Sequence, residues 1–131
     1  MCIFCQIVKG EIPSYKVYED DKVLAFLDIK PVNPGHVLVI TKEHYPNIEE
    51  TPIAELSAVI SAVKTIGRLL KDRLAVAGYN VTENNDPDAG QEIPHLHFHV
   101  IPRQAGDGNK PWLQAEYGPG EAEAVLKKLQ D

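Results

Sequence analysis

This sequence predicts an α+β domain built on an antiparallel sheet, and two observations carry the prediction. Short apolar-rich stretches of strand length recur on either side of polar turns and Pro/Gly breakers. One long segment, from Thr51 to Leu74, carries its apolar residues at helical spacing instead. With 131 residues the chain has the length of one domain and can bury a core without disulfide support. The domain is read as residues 1–131, with a core over 2–112 and a C-terminal tail and helix over 113–131.

The elements follow in order. Tyr15–Tyr18 and Val23–Leu27 are split by Glu19-Asp20-Asp21-Lys22, which reads as a hairpin with a polar turn. Pro31-Val32-Asn33-Pro34-Gly35 is a breaker. His36 then opens a third strand through Val37–Ile40, apolar on both faces. Thr51 followed by Pro52 marks a helix start, with threonine as N-cap and proline at the first helical position. Ile53, Leu56, Ile60, Val63, Leu70 and Leu74 recur at helical spacing, widened by Val59, Ile66 and Leu69, and predict about five or six turns packed on the sheet. Gly78 is the expected stop. Tyr79–Thr82 and His95–Pro102 read as the fourth and fifth strands, and Glu121–Leu129 as a short amphipathic helix.

Composition narrows the function classes. A hydrophobic share of 44% and a charged share of 24% are those of a globular protein rather than a disordered one. The longest aliphatic run, Val37–Ile40, is far too short to cross a bilayer, so no membrane partner is expected. The N-terminus has no basic region leading an apolar stretch, so it does not read as a signal peptide, and the expected compartment is the cytoplasm. Thirteen basic against 19 acidic residues give a net charge of −6, which argues against tracking a nucleic-acid backbone. A small anionic substrate stays open. In a reducing compartment, Cys2-x-x-Cys5 reads as a metal half-site or a redox pair.

His95-Leu96-His97-Phe98-His99-Val100-Ile101 holds three of the five histidines. Alternation puts the three imidazoles on one face and Leu96, Phe98 and Val100 on the other, against the long helix. The apolar face has a packing role; the histidine face calls for a chemical one. A zinc hydrolase ligated by all three is the natural rival, but the outer pair would have Cα atoms roughly 13 Å apart, which a tetrahedral metal does not span. Phosphoryl or nucleotidyl chemistry fits better. Imidazole, with a free pKa of about 6.5, is a good nucleophile near neutral pH, and a neighbouring imidazole can donate to phosphate oxygens. The polar loop Asn84–Gln91 offers amides suited to an anion; its acidic spacing fails the pattern of a calcium loop.

The run His95–Ile101 completes the His-φ-His-φ-His-φ-φ pattern, φ being apolar, and so resembles the histidine triad (HIT) superfamily. Gly90-Gln91, Phe26-Leu27-Asp28-Ile29, Pro34–Ile40, Cys2–Cys5 and Gly10-Glu11-Ile12-Pro13 support the resemblance from Cys2 to about Trp112, and the chain looks most like the compact nucleoside-phosphoramidate-hydrolase branch. The resemblance implies a five-stranded HIT-like sheet, His97 as nucleophile, and a nucleotidyl-histidine intermediate that water cleaves. It implies that His99 and His36 serve the phosphate, that Asp28 holds the ribose hydroxyls, and that Ile3, Phe4, Ile7, Phe26 and Ile29 wall the base. Asn84 and Gln91 match side chains beside the phosphate and leaving group. Plain alternatives are a solvated turn carboxylate at Asp28 and core packing for the wall. The implied substrate is a purine nucleotide and the implied assembly a homodimer, joined through the long helix and a strand, with Trp112 and the tail from Gly106 to Gly120 near the partner's site.

Two positions depart from that pattern. Glu92 stands where related hydrolases often carry serine or threonine, and an ionised carboxylate there is expected to point away from phosphate. Asp86 stands where many relatives have glycine. Cys2, Cys5, His44 and His95 form a standard closed zinc set. Some bacterial relatives resemble this pattern and bind a structural zinc so, the first triad histidine included. The expected cofactor is therefore a structural zinc, with no organic cofactor. The competing readings of the chain are a zinc-dependent hydrolase and a nucleotide-binding module with weak catalysis.

Overall fold

The computed structural model describes residues 2–110 and 112–130; residues 1, 111 and 131, which fall within the bounds read above, lie outside them. Among the described residues the order is α1 (Ile3–Val8), β1 (Lys16–Glu19), β2 (Val23–Leu27), β3 (Val37–Thr41), α2 (Ile53–Leu74), β4 (Gly78–Glu83), a 3-10 turn (Pro87–Ala89), β5 (His97–Arg103) and α3 (Glu121–Gln130). The five strands form one sheet in the order β1-β2-β3-β5-β4, antiparallel at every step. The α+β class and the five-stranded sheet with one long and one short C-terminal helix match the sequence reading.

Strand alternation explains how the sheet is covered. Val23, Ala25, Val37, Val39, Phe98 and Val100 face α2 and meet Val59, Ala62, Val63, Ile66 and Leu70. Leu24, Phe26, Leu38 and Ile40 point to the other face, where Phe4 and Ile7 of α1 cover them. β3 is therefore buried at all five positions, as a central strand of continuous apolar residues should be. Each fully buried aliphatic or aromatic side chain stabilises the fold by about 1.5–3 kcal/mol relative to exposure.

Several boundaries differ from the sequence reading. Helix α1 was not foreseen. It has six residues, no side-chain N-cap bond and no charged residue suited to the helix dipole, so it carries no local signal. Its end is well made: Gly10 at φ 78 lets Gly10 N–H reach Ile7 O at 3.0 Å and Glu11 N–H reach Gln6 O at 2.9 Å, the Schellman arrangement. At α2, Thr51 spends its hydroxyl on Asn47 O at 2.7 Å, and Pro52 takes the N-cap position. The helix ends at Ala75, in the left-handed conformation, while Gly78 opens β4 instead of closing the helix. β5 begins at His97, because Pro94 and the His95 N–H to Ile93 O bond of 2.8 Å bend the chain just before it.

Candidate functional site

Register brings the site together. β3–β5 pairing sets Leu38 opposite His99 and Ile40 opposite His97, and β2–β3 pairing sets Phe26 opposite Leu38. His97 and His99 thus lie beside the apolar row that α1 covers, with ring centroids 5.1 Å apart. Phe4 stands edge-on to His97 at 5.1 Å and to His95 at 5.8 Å, so all three triad rings occupy the α1 side of the sheet, as alternation predicts. Between α1, the end of β2 and β5 opens a cavity of about 520 Å³. Ile3, Phe4, Ile7, Phe26, Asp28, Ile29, Asn84, His97 and His99 all line it.

Backbone partners fix the protonation of each imidazole. His97 Nδ1 lies 2.7 Å from His95 O; a carbonyl only accepts, so Nδ1 carries the proton and Nε2 keeps its lone pair. Val32 N–H donates to His36 Nδ1 at 3.1 Å, which puts the His36 proton on Nε2. His36 Nε2–H then donates to His99 Nδ1 at 3.0 Å. His99 is left with its proton on Nε2. One face therefore holds a nitrogen lone pair on His97 beside an N–H donor on His99. Burial, with His97 and His36 alongside, pushes His99 down to about 4, and burial lowers His36 as well. Both stay neutral at pH 7.

Two sequence expectations change in detail. His36 is 3% exposed and does not line the cavity. Its Nε2–H is directed at His99 Nδ1 instead. Gln91 does not line the cavity either: its Oε1 accepts from Asp86 N–H at 2.7 Å, and its Nε2 donates to Pro46 O at 2.6 Å and Ile93 O at 3.1 Å. It staples the loop that carries Asn84. Glu92 is exposed at the rim of the same cavity. The alternation reading missed Leu38, although its place between two helix-facing valines was sufficient to put it on the histidine face. No sequence signal marked the backbone of Val32 or Thr41.

Asp28 lies at the end of β2, where its Oδ1 accepts from Lys30 N–H at 2.9 Å and its Oδ2 sits 3.7 Å from His36 Nε2. The carboxylate is held in place at one end of the apolar wall. Trp112, at 82% exposed, is not among the residues lining the cavity.

A second cluster lies behind the first. Cys2, Cys5, His44 and His95 bring their donor atoms within 4.8 Å of one another. Cys2 Sγ is 3.5 Å and Cys5 Sγ 3.6 Å from His95 Nδ1, and Cys5 Sγ is 3.4 Å from His44 Nδ1. Zinc bonds of about 2.3 Å to sulfur and about 2.1 Å to nitrogen put such atoms about 3.6 Å apart across a tetrahedral angle. The donor set fits. His95 Nε2 donates to Thr41 O at 2.7 Å, which directs the Nδ1 lone pair at the thiols. Burial pushes the Cys5 thiol up, with Cys2 beside it adding to the shift, so a bound cation would favour the Cys5 thiolate.

Comparison with known proteins agrees with this geometry. The HIT domain profile matches residues 9–106. The chain belongs to the HIT family. It is 55% identical over 108 residues to an uncharacterized HIT-like protein of Methanocaldococcus jannaschii, covering 82% of this chain and 83% of that protein. It is 43% identical over 107 residues to the adenosine 5'-monophosphoramidase HNT1 of Candida albicans, covering 79% and 70%. It is also 43% identical over 106 residues to the adenylylsulfatase HINT3 of Arabidopsis thaliana, covering 81% of this chain and 54% of that one. Among solved structures, a HIT family protein of Bacillus subtilis superposes with a TM-score of 0.89 at 40% identity, over 98% of this chain and 94% of that one. A zinc-bound histidine triad family protein of Mycobacterium smegmatis gives a TM-score of 0.79 at 34% identity, over 98% and 95%. The HIT fold positions the triad on a sheet face; this chain's own donors and carboxylates decide what is done there.

Proposed function

We propose that this HIT protein hydrolyses a purine nucleoside phosphoramidate, or a related mixed phosphate, by attack of His97 Nε2 on the α-phosphorus. The carrying observation is the fixed tautomer pair: a lone pair on His97 and an N–H donor on His99 face one cavity that ends in Asp28. In this reading the base lies against Ile3, Phe4, Ile7, Phe26 and Ile29, and Asp28 accepts from the ribose hydroxyls. His97 Nε2 forms a bond to phosphorus as the P–N bond of the substrate breaks, and the amine leaves with the electron pair of that bond and a proton taken from solvent, which the attacking water of the second step returns. His99 Nε2–H donates to the phosphate oxygen as charge builds there. Water then attacks the nucleotidyl-histidine, releases the nucleoside monophosphate and frees His97. The phosphoramidase and adenylylsulfatase names of the Candida and Arabidopsis relatives support nucleotide chemistry at such a site.

A zinc ion held by Cys2, Cys5, His44 and His95 would supply a closed structural cross-link, with no position left for substrate. Donor spacing and the zinc-bound mycobacterial relative support that role. We assign the cytoplasm as compartment, where reducing conditions keep a Cys-x-x-Cys pair available for metal. No described helix is long and apolar enough to cross a membrane. The intermediate is tested by denaturing the enzyme during turnover at neutral pH and mapping the adduct. A nucleotide monophosphate on the peptide containing His97 is expected; an adduct on another residue would move the nucleophile.

A further inference from the structure

Behind the cavity, the residues that would hold the metal are chain neighbours of those that wall it. Cys2 and Cys5 bracket the first turn of α1, and the residues between and after them are Ile3, Phe4 and Ile7, which wall the cavity. Phe4 is 3% exposed and meets Phe26 at 5.7 Å, His95 at 5.8 Å and His97 at 5.1 Å, so one ring touches the metal cluster, the wall and the nucleophile. His95 makes a second connection. Its ring faces the two sulfurs, while its backbone carbonyl takes the His97 proton at 2.7 Å and sets that tautomer. Apart from the burial of Phe4 and Ile7 and its Schellman end, helix α1 has only six residues and no side-chain cap to hold it.

We infer that metal occupancy of the Cys2/Cys5/His44/His95 cluster and nucleotide occupancy of the cavity are thermodynamically linked, with Phe4 and His95 as the positioning residues that couple them. The inference rests on the metal and nucleotide readings above. A metal that pins Cys2 and Cys5 to His95 orders α1 and fixes the wall against which a base stacks. A base on that wall in turn holds α1 where the thiols meet His95. Linkage requires the two effects to be equal.

The test titrates the chelator-treated full chain with Zn²⁺ against a chromophoric competitor, with and without saturating AMP, and follows folding by circular dichroism. AMP affinity is measured with and without Zn²⁺. AMP is expected to tighten Zn²⁺ about tenfold, and Zn²⁺ to tighten AMP by the same factor. Phe4→Leu, which keeps every donor but trims the wall, should bind Zn²⁺, bind AMP more weakly and lose most of the coupling; full coupling in this variant would overturn the part assigned to Phe4. His44→Ala, at an exposed donor away from the cavity, should need more Zn²⁺ to reach the same AMP affinity. Both ligands binding with affinities indifferent to each other would overturn the linkage and leave both parent readings standing. Failure of Zn²⁺ to bind, or of AMP to bind the loaded protein, would overturn it together with the metal or the nucleotide reading respectively.

Discussion

Asp86 holds φ 74 and ψ 154, a region that residues with a Cβ avoid, in the loop that Gln91 staples. Backbone strain of this kind costs about 1–3 kcal/mol, and glycine relieves it while giving back part of the gain in unfolded-chain entropy. Asp86→Gly is expected to raise stability by about 1 kcal/mol, read as a higher denaturant midpoint at unchanged slope. The departure seen in the sequence thus has a structural meaning. Glu92 also lines the cavity, where a carboxylate turned inward would repel a leaving group that departs as an anion. Glu92→Gln should raise kcat/KM for adenylyl sulfate relative to an adenosine phosphoramidate by roughly fivefold, the size of one screened charge contact. His99 offers a third check. Its folded pKa of about 4 lies below the ordinary histidine value, so the folded state disfavours its proton. Its contribution to stability is fully present above about pH 6.5 and is lost as pH falls toward 4. The His99 ring resonances in NMR should stay put through pH 6 and move only near 4.

At the scale of elements, α2 and β4 meet through an absence. A Cβ on Gly67 would stand 2.3–2.7 Å from the Tyr79 ring. Gly67→Ala should therefore destabilise by about 1–3 kcal/mol despite alanine's better helix propensity, measured by chemical denaturation. A neutral or stabilising result would mean that Tyr79 moves aside freely. What the sequence made legible follows from the same local logic. β2 and β3 announce themselves as short continuous apolar runs between polar turns, whereas α2 and the Leu96/Phe98/Val100 face do so by the period of their apolar residues. Helix α1 has too few residues for a period, and its role is set by long-range contacts of Phe4 with Phe26, His95 and His97. The partners of His36 and Gln91 were hidden in a similar way. Both residues were placed near the right site, but which atom meets which partner depends on the backbone of Val32, Asp86 and Pro46, to which residue type gives no clue.

For the whole molecule, β4 lies at the sheet edge and carries Val81, 41% exposed, while α2 presents Ile53 and Ile60 at 77% and 50%. We propose that these surfaces join two copies of the chain, as the family resemblance implies. Sedimentation near twice 14.5 kDa is expected, and a mass near 14.5 kDa would refute it. Helix α3 buries none of its residues in its own chain, so the dimer is also the setting in which the tail is to be examined. The account as a whole turns on one nitrogen. The direct measurement is AMP release from adenosine 5'-phosphoramidate by the wild-type protein and by His97→Ala, both purified without chelators. Removing the nucleophile should lower turnover by a hundredfold or more, within the range that covalent catalysis supplies. Equal turnover by the two proteins would contradict the assignment of His97 as nucleophile.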